Sequence, residues 1–187
     1  MYSLGKRDNN KQEKYRLRDV AVIETLFATG ARVSEVSNIR MESVNLDTGL
    51  IRIMEKGGKE RYLQIGSPDI LDVLKKYYDQ NVVEIKKSGY FFVNSRGCRY
   101  TEQSIRLMLK KYTKLAGIER NITPHMFRHS FATYLIEEGV DTSCVQQILG
   151  HSSIKTTQIY IHVAAKLQAE ILREMHPRNR MHILIAA

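Results

Sequence analysis

Four side chains between residues 123 and 163 are of the types that can act together on a phosphodiester. His125 and Arg128 lie three residues apart in the sequence. His151 follows a Leu-Gly pair and precedes Tyr160 by nine residues. Histidine and arginine can be cationic or can donate hydrogen bonds to an anion, and a tyrosine oxygen can act as a nucleophile. Each residue alone also has an ordinary structural explanation, so only their combination points to a phosphate as the electrophile.

The start of this stretch has the features of a helix N-terminus. Thr123 is a good N-cap residue, and Pro124 suits the first helical position. His125 and Arg128 then lie on one face, close to the positive end of the helix, where an anion is stabilised. The predicted helix ends near Gly139. Its buried stripe is formed by Phe127, Phe131 and Leu135.

The remaining elements are predicted from apolar periodicity and from glycine and proline positions. A first helix runs from Arg18 to a stop at Gly30, and a short second helix follows. Two strands flank a glycine-containing hairpin loop at residues 55–60, and a third short strand is predicted at residues 90–93. Together they predict a mainly α fold with a small antiparallel β-sheet. The other predicted helices cover residues 33–39, 68–79, 102–116, 141–150 and 164–175.

Composition limits the class of protein. A chain of 187 residues with 43% hydrophobic residues is long enough for one domain with a substantial core, or at most two small ones. The formal charge of +9 favours a polyanionic partner, most often nucleic acid, over a basic surface without a partner. Cys98 and Cys144 lie far apart and lack metal-ligand spacing, which is typical of reduced thiols in a cytoplasmic protein. No apolar run is long enough for a membrane span.

Two further cations lie at positions from which they can reach a cleft. Arg32 follows Ala-Thr-Gly-Ala at the junction of the first two predicted helices. Lys56 lies in the predicted hairpin loop. Both have a plainer interpretation as solvated surface charges, and the same choice applies to Arg106 and Lys110 on the helix predicted at residues 102–116.

Five motifs in order resemble the catalytic domain of tyrosine recombinases, the phage-integrase and Xer-like family. They are ATGARVSE, KGGKER, TPHMFRH, LGHS and TTQIYIH. The resemblance covers about residues 17–177 and implies the DNA breaking-rejoining enzyme fold. It also implies a site-specific recombinase that cleaves and rejoins double-stranded DNA without metal, ATP or any other cofactor.

The resemblance implies a role for each reactive residue. Tyr160 is the nucleophile that forms a 3′-phosphotyrosyl link, and Arg32 and Arg128 bind the nonbridging phosphate oxygens. Such a role suits the planar, permanently charged guanidinium group. Lys56 protonates the leaving 5′ oxygen, which requires a lowered pKa, and nearby arginines act in that direction.

His125, His151 and Glu35 are carried over in the same way, whereas His129 has no role in the matched motif. His125 accepts the proton of the tyrosine or positions it, and His151 donates to a phosphate oxygen. Glu35 holds the helix corner or orients Arg32, with a simple surface carboxylate as the alternative. His129 is structural or a supporting donor. Weaker contacts to the DNA backbone are expected from Lys59, Arg106 and Lys110.

The predicted organisation has three parts. Residues 1–16 form a flexible lead-in or linker remnant, residues 17–177 form the catalytic domain, and residues 178–187 form an apolar tail suited to docking on a neighbouring protomer. Family members commonly carry a separate N-terminal DNA-binding domain, and only a short polar lead precedes the first catalytic helix here. The apolar tail is the reason for expecting a tetramer on DNA. The rival interpretations are a type IB topoisomerase and a DNA-binding module that has lost catalysis.

Overall fold

The computed structural model describes residues 3–54, 60–150 and 172–174, with the backbone alone for residues 3–12. Within these ranges the fold is mainly helical with one small antiparallel sheet, so the predicted fold class is confirmed. None of the described helices combines the length and apolarity that are needed to cross a lipid bilayer. The helices are α1 (Ser3–Thr29), α2 (Val33–Ser37), α3 (Pro68–Ser88), α4 (Glu102–Leu115), α5 (Pro124–Glu137) and α6 (Thr142–Leu149), and residues 172–174 are also helical.

The sheet has three strands in the order β1 (Val44–Asn45), β2 (Leu50–Met54) and β3 (Glu60–Gln64). The hairpin of β2 and β3 is the one that the sequence predicts, with Ile51 opposite Leu63 in the register. The prediction of a strand at residues 90–93 is wrong, and the third strand of the sheet is β1 instead.

The apolar run at residues 90–93 has another cause. Tyr90 and Val93 form only isolated bridges, whereas Phe91 and Phe92 are almost fully buried. The backbone N–H of Phe91 donates to Ile39, and that of Val93 donates to the Tyr77 hydroxyl. The run is therefore apolar because it crosses the core, where side chains and turns satisfy its backbone.

Helix α1 begins much earlier than the sequence predicts. Residues 3–16, predicted as a flexible lead-in, are helical, so that prediction is corrected. These residues lack an apolar stripe, but Lys, Arg, Glu and Gln are good helix formers. Lys14 Nζ also lies 2.8 Å from Glu84 Oε1 on α3, and this hydrogen bond lowers the pKa of Glu84. Consequently, no change in secondary structure marks the predicted domain boundary at residue 17.

Helix α3 is also longer than predicted. Its polar stretch after residue 79 does not end it. Asn81 is buried, and its side-chain amide donates to the Tyr77 carbonyl inside the same helix. Ile85 then continues the buried face, and the helix ends at Gly89 in the left-handed conformation.

Two hydrophobic clusters form the interior. The larger cluster joins α1, α2, the sheet, α3, residues 91–93 and α4. The smaller cluster joins α5, α6 and Leu172. Helix α5 takes part in both, since Phe127 packs on the larger cluster while Phe131 and Leu135 lie in the smaller one.

A buried polar group fixes α4 against α1. Asp19 is 5% exposed, and its Oδ1 accepts a hydrogen bond from Arg18 Nη2 at 2.6 Å. The Asp19 carboxylate also accepts hydrogen bonds from the hydroxyls of Tyr100 and Tyr112. Burial raises the pKa of Tyr112 to about 12, and the Asp19 charge acts in the same direction. Both tyrosines therefore stay neutral donors near pH 7, which keeps α4 in position.

The turn between α1 and α2 requires glycine. Gly30 has φ of +58°, and a Cβ there would lie 2.6 Å from Phe131 Cδ1 and 2.9 Å from Leu149 Cδ2. The corner of the chain at residues 30–32 can therefore approach α5 and α6 only because residue 30 has no side chain.

We expect Gly30→Ala to lower the free energy of unfolding by about 2–5 kcal/mol, from left-handed backbone strain and overpacking together. Gly117→Ala is the matched control, because Gly117 also has positive φ (+67°) but open space around it. It should cost only about 1–2 kcal/mol, the backbone part of the penalty. Urea unfolding curves of the two variants measure the difference, and equal losses would contradict the close-approach argument.

Candidate active site

A cleft of about 240 Å³ lies where the α1–α2 corner, α4 and the start of α5 meet. Three of the six predicted catalytic residues, Arg32, His125 and Arg128, line it. Lys56, His151 and Tyr160 lie outside the described residues. The other described lining residues are Ala31, Val33, Arg106, Thr123 and Pro124.

Arg32 is the residue that precedes α2, and its side chain is 43% exposed at the cleft. Glu35, one turn further on, accepts two hydrogen bonds from it. The backbone N–H of Arg32 lies 2.7 Å from Glu35 Oε2, and Arg32 Nη1 lies 2.9 Å from Glu35 Oε1. The expected contact of Glu35 with Arg32 is therefore present, and it sets both the start of the helix and the direction of the guanidinium.

Arg128 is fixed by two backbone carbonyls. Its Nη1 donates to the carbonyl of Gly30 at 2.9 Å, and its Nη2 donates to the carbonyl of Leu149 at 2.8 Å. One guanidinium thus connects the α1–α2 corner to the C-terminal end of α6. The planar fork of donors in arginine makes this possible, because two acceptors from separate segments can be bound at once.

The start of α5 contributes an exposed histidine and the positive end of a helix dipole. Thr123 is the N-cap residue and Pro124 the first helical residue, as predicted, although the Thr123 hydroxyl forms no capping bond within the described residues. His125 follows in the first turn and is exposed at the cleft. His129 is exposed one turn later and is absent from the described cleft lining. Oxyanions are stabilised at such a helix start.

Of the three residues expected to contact DNA weakly, Arg106 alone lies on the described wall of the cleft. It is exposed on α4, and its Nη2 lies 3.1 Å from Glu102 Oε2. Lys110 is exposed one turn further along α4, and Lys59 lies outside the described residues. A surface pair such as Arg106–Glu102 is weak, so an incoming anion can replace Glu102 at little cost.

Arg61, to which the sequence analysis assigned no role, contacts the partner of Arg32, Glu35. Its side chain is only 11% exposed, with Nη2 2.6 Å from Glu35 Oε2 and Nη1 3.0 Å from the carbonyl of Ile148. A signal was present in the sequence. Arg61 lies on the same face of β3 as the buried residue Leu63, and a charge on an inward face requires a buried partner.

The end of α6 is held by both arginines. Arg61 binds the carbonyl of Ile148, Arg128 binds that of Leu149, and Gly150 follows with φ of +70°. The next residue in the chain is His151. Helix C-termini carry orphan carbonyls with partial negative charge, which guanidinium groups stabilise. These contacts fix the point from which the chain continues to His151.

The site is therefore a basic cleft at a helix N-terminus, with two guanidinium groups, a third arginine on the rim and an exposed histidine. Such an arrangement suits binding of a phosphate group through its oxygens. Within the described ranges, no cluster of three or more His, Cys, Asp and Glu side chains is placed to hold a metal ion. The site is therefore a cleft rich in arginine within a mainly helical fold.

Comparisons with known proteins identify the family. The chain belongs to the phage integrase family, whose model matches residues 5–166. A tyrosine recombinase of Agathobacter rectalis is 48% identical over 173 residues, which cover 92% of this chain and 56% of the relative. This chain thus spans little more than half the length of that protein.

Solved structures agree in fold. The crystal structure of XerA recombinase has a TM-score of 0.67 and 35% identity, covering 89% of this chain and 60% of that one. XerH site-specific recombinase, in a post-cleavage complex with a palindromic difH substrate, has a TM-score of 0.65 and 30% identity, covering 84% and 45%. The recognition of the family from five motifs is therefore confirmed.

We expect Arg128→Lys to lower the free energy of unfolding by about 1.5–3 kcal/mol, because a lysine cannot reach both carbonyls and charge-assisted hydrogen bonds are worth about that much. Arg106→Lys is the matched control for stability, since it changes an exposed pair worth less than about 1 kcal/mol. Urea unfolding of the two variants measures the contrast. Equal effects would show that the fork of Arg128 does not hold the corner and α6 together.

Proposed function

We propose that this chain carries the catalytic machinery of a site-specific DNA recombinase, which cleaves and rejoins DNA through a 3′-phosphotyrosyl intermediate. The observation that carries the proposal is that Arg32 lines the same cleft as His125 and Arg128, from which it is distant in sequence. Family membership supports it, because five motifs match in order and the full set of reactive side chains is present in the sequence.

In the proposed reaction, the Tyr160 oxygen attacks the scissile phosphorus, a new P–O bond forms, and the bond from phosphorus to the 5′ oxygen breaks. Charge that develops on the nonbridging oxygens is stabilised by Arg32 and Arg128. An unaided phenol has a pKa near 10 and is a weak nucleophile at neutral pH, so nearby cations must assist its ionisation.

Proton transfers complete the proposed step. His125 accepts the tyrosine proton or positions its oxygen, and Lys56 protonates the departing 5′ oxygen. His151 donates a hydrogen bond to a nonbridging oxygen. The high-energy bond is conserved in the phosphotyrosine, so attack by a 5′ hydroxyl reverses the step without an added energy source.

Double-stranded DNA is the proposed partner. The net charge of +9 supports this, as does the palindromic difH substrate to which XerH site-specific recombinase is bound in its structure. Arg106, Lys110 and Lys59 are proposed to contact the backbone around the reacting phosphate. We also propose that residues 178–187 dock on a neighbouring protomer in a tetramer that assembles on DNA. The resemblance to relatives named recombinases favours strand exchange over relaxation of supercoils.

Trapping of the covalent intermediate tests the reaction. A pool of duplexes with a randomised recombination site and a nick near the scissile phosphate lets the short cleaved fragment diffuse away. We expect wild type to accumulate a protein–DNA adduct that survives denaturing gels, and Tyr160→Phe to give none, because it lacks the attacking oxygen. Tyr134→Phe, at an exposed tyrosine of α5, is the matched control and should form adduct like wild type.

Two results would contradict the proposal. Wild type and Tyr160→Phe behaving alike would exclude Tyr160 as the nucleophile. Loss of the adduct in Tyr134→Phe, with Tyr160→Phe unaffected, would assign the attack to another tyrosine.

The leaving-group acid has its own test. We expect Lys56→Ala to slow cleavage of an ordinary phosphodiester by about 10²-fold or more, the usual contribution of a general acid. A substrate with sulfur in place of the bridging 5′ oxygen should be cleaved within about threefold of wild type, since a thiolate leaves without protonation. The rates come from single-turnover adduct formation. Lys75→Ala, whose Nζ lies 3.8 Å from Asp47 on another surface, is the control. Equal slowing on both substrates would remove Lys56 as the acid.

A further inference from the structure

Arg61 is a charged residue at a core-facing position of β3, five residues after Lys56 in the sequence. Residues that alternate along a strand share a face, and the neighbour of Arg61 on its face of β3 is Leu63, at 3% exposure. The residue opposite Arg61 on β2 is Ile53, at 4% exposure. An arginine at such a position is costly unless its donors are bound by fixed acceptors. The acceptors that the fold supplies therefore show what the residue does.

Two described acceptors of Arg61 belong to α2 and to the end of α6, and both of these segments also contact an arginine of the cleft. Its Nη2 lies 2.6 Å from the carboxylate of Glu35 on α2, and its Nη1 lies 3.0 Å from the carbonyl of Ile148 at the end of α6. These partners are 26 and 87 residues away in sequence. Arg61 thus connects the hairpin to the Arg32 corner and to the end of α6.

Glu35 is shared between two arginines. Oxygen Oε2 accepts from Arg61 and from the backbone N–H of Arg32, while Oε1 accepts from Arg32 Nη1. Glu35 and Arg61 are 9% and 11% exposed, whereas the Arg32 side chain is 43% exposed. The arrangement is a buried anchor that holds a solvent-facing guanidinium.

The charges of these three residues give the anchor its effect. Arg32 and Arg61 together carry a charge of +2 and Glu35 carries −1, so the net charge of the three side chains is +1. Without Arg61, the Glu35 carboxylate would pair with Arg32 alone and would neutralise it at short range. A phosphate would then compete with a buried carboxylate for the same guanidinium.

We propose that Arg61 is a positioning residue for DNA cleavage: by sharing the Glu35 carboxylate, it holds Arg32 in place and keeps the charge of Arg32 for the scissile phosphate. The inference rests on the proposed function, because it assigns Arg61 to the same reaction. A purely structural role for Arg61 predicts a different response to substitution of Glu35.

The test is a double-variant cycle on the nicked DNA substrate, with single-turnover rate constants for adduct formation. We expect Arg61→Met to slow cleavage by on the order of 10²-fold, since small misplacement of a catalytic group has effects of that size. Adding Glu35→Gln should then raise the rate of Arg61→Met by about tenfold, because the competing carboxylate is gone and the net charge of +1 is restored. Arg52→Met, on β2, is the matched control. Arg52 pairs with Glu60 at 3.1 Å, both about 40% exposed, and the variant should stay within about twofold of wild type.

Each outcome separates this inference from the proposed function. If wild type forms no Tyr160-dependent adduct, the function fails. If wild type forms the adduct and Arg61→Met cleaves at a similar rate, only the inference fails. A slow Arg61→Met variant that Glu35→Gln does not accelerate would assign Arg61 to fold stability alone.

A conservative variant keeps the test informative if Arg61→Met does not fold. Arg61→Lys retains the charge beside Glu35 but loses the fork that also reaches Ile148. We expect its cleavage rate within about fivefold of wild type, because the charge balance around Arg32 is kept. A loss of more than about 10²-fold, with an unchanged urea midpoint, would overturn the charge argument.

Discussion

The part of the site that the structure describes depends on the hydrogen bonds and ion pairs of the buried Glu35 carboxylate. This carboxylate accepts hydrogen bonds from the backbone and side chain of Arg32 and from the side chain of Arg61. Removing one partner of a buried charge leaves the other without compensation, at a cost of about 3–5 kcal/mol. The corner that presents Arg32, strand β3 and the start of α2 are therefore joined through one side chain. None of these segments can shift without breaking a charge-assisted hydrogen bond.

The cleft concentrates positive charge, and the fold offsets the repulsion with neutral and negative groups placed behind it. Arg128 donates to the carbonyls of Gly30 and Leu149, and Arg32 pairs with Glu35. Each guanidinium is held from its protein side by fixed acceptors, so its orientation exists before a ligand binds. Preorganised donors of this kind need little rearrangement when charge develops in a transition state. The structure thus holds the guanidinium groups of Arg32 and Arg128 in defined orientations at the cleft.

How far the sequence could predict this arrangement differs from element to element. Helices α4 and α5 and the β2–β3 hairpin were predicted nearly to the residue, because local periodicity and the Thr123-Pro124 and glycine signals define them. The strand predicted at residues 90–93 was wrong, since burial produces the same apolar run as strand pairing. The helix at residues 3–16 is not predicted from the sequence, because these residues have no apolar stripe. In the site, the contact of Arg32 with Glu35 is local and was expected, whereas the contacts of Arg61 depend on partners 26 and 87 residues away, which only the tertiary structure brings together.

Long-range packing also determines where Arg128 lies. Helix α5 contacts the larger cluster through Phe127 and the smaller cluster through Phe131 and Leu135, and Arg128 lies between these contacts in the sequence. The smaller cluster includes Leu172, whose backbone lies so close to Gly66 that a Cβ there would be 2.7 Å from it. Arg128 can therefore reach the carbonyls of Gly30 and Leu149 only when both clusters are formed. Because protein interiors are close-packed, a change in either cluster shifts α5 relative to the corner. The position of the Arg128 guanidinium in the cleft is thereby coupled to completion of the fold, and an incompletely folded chain would lack this arrangement even with every reactive residue present.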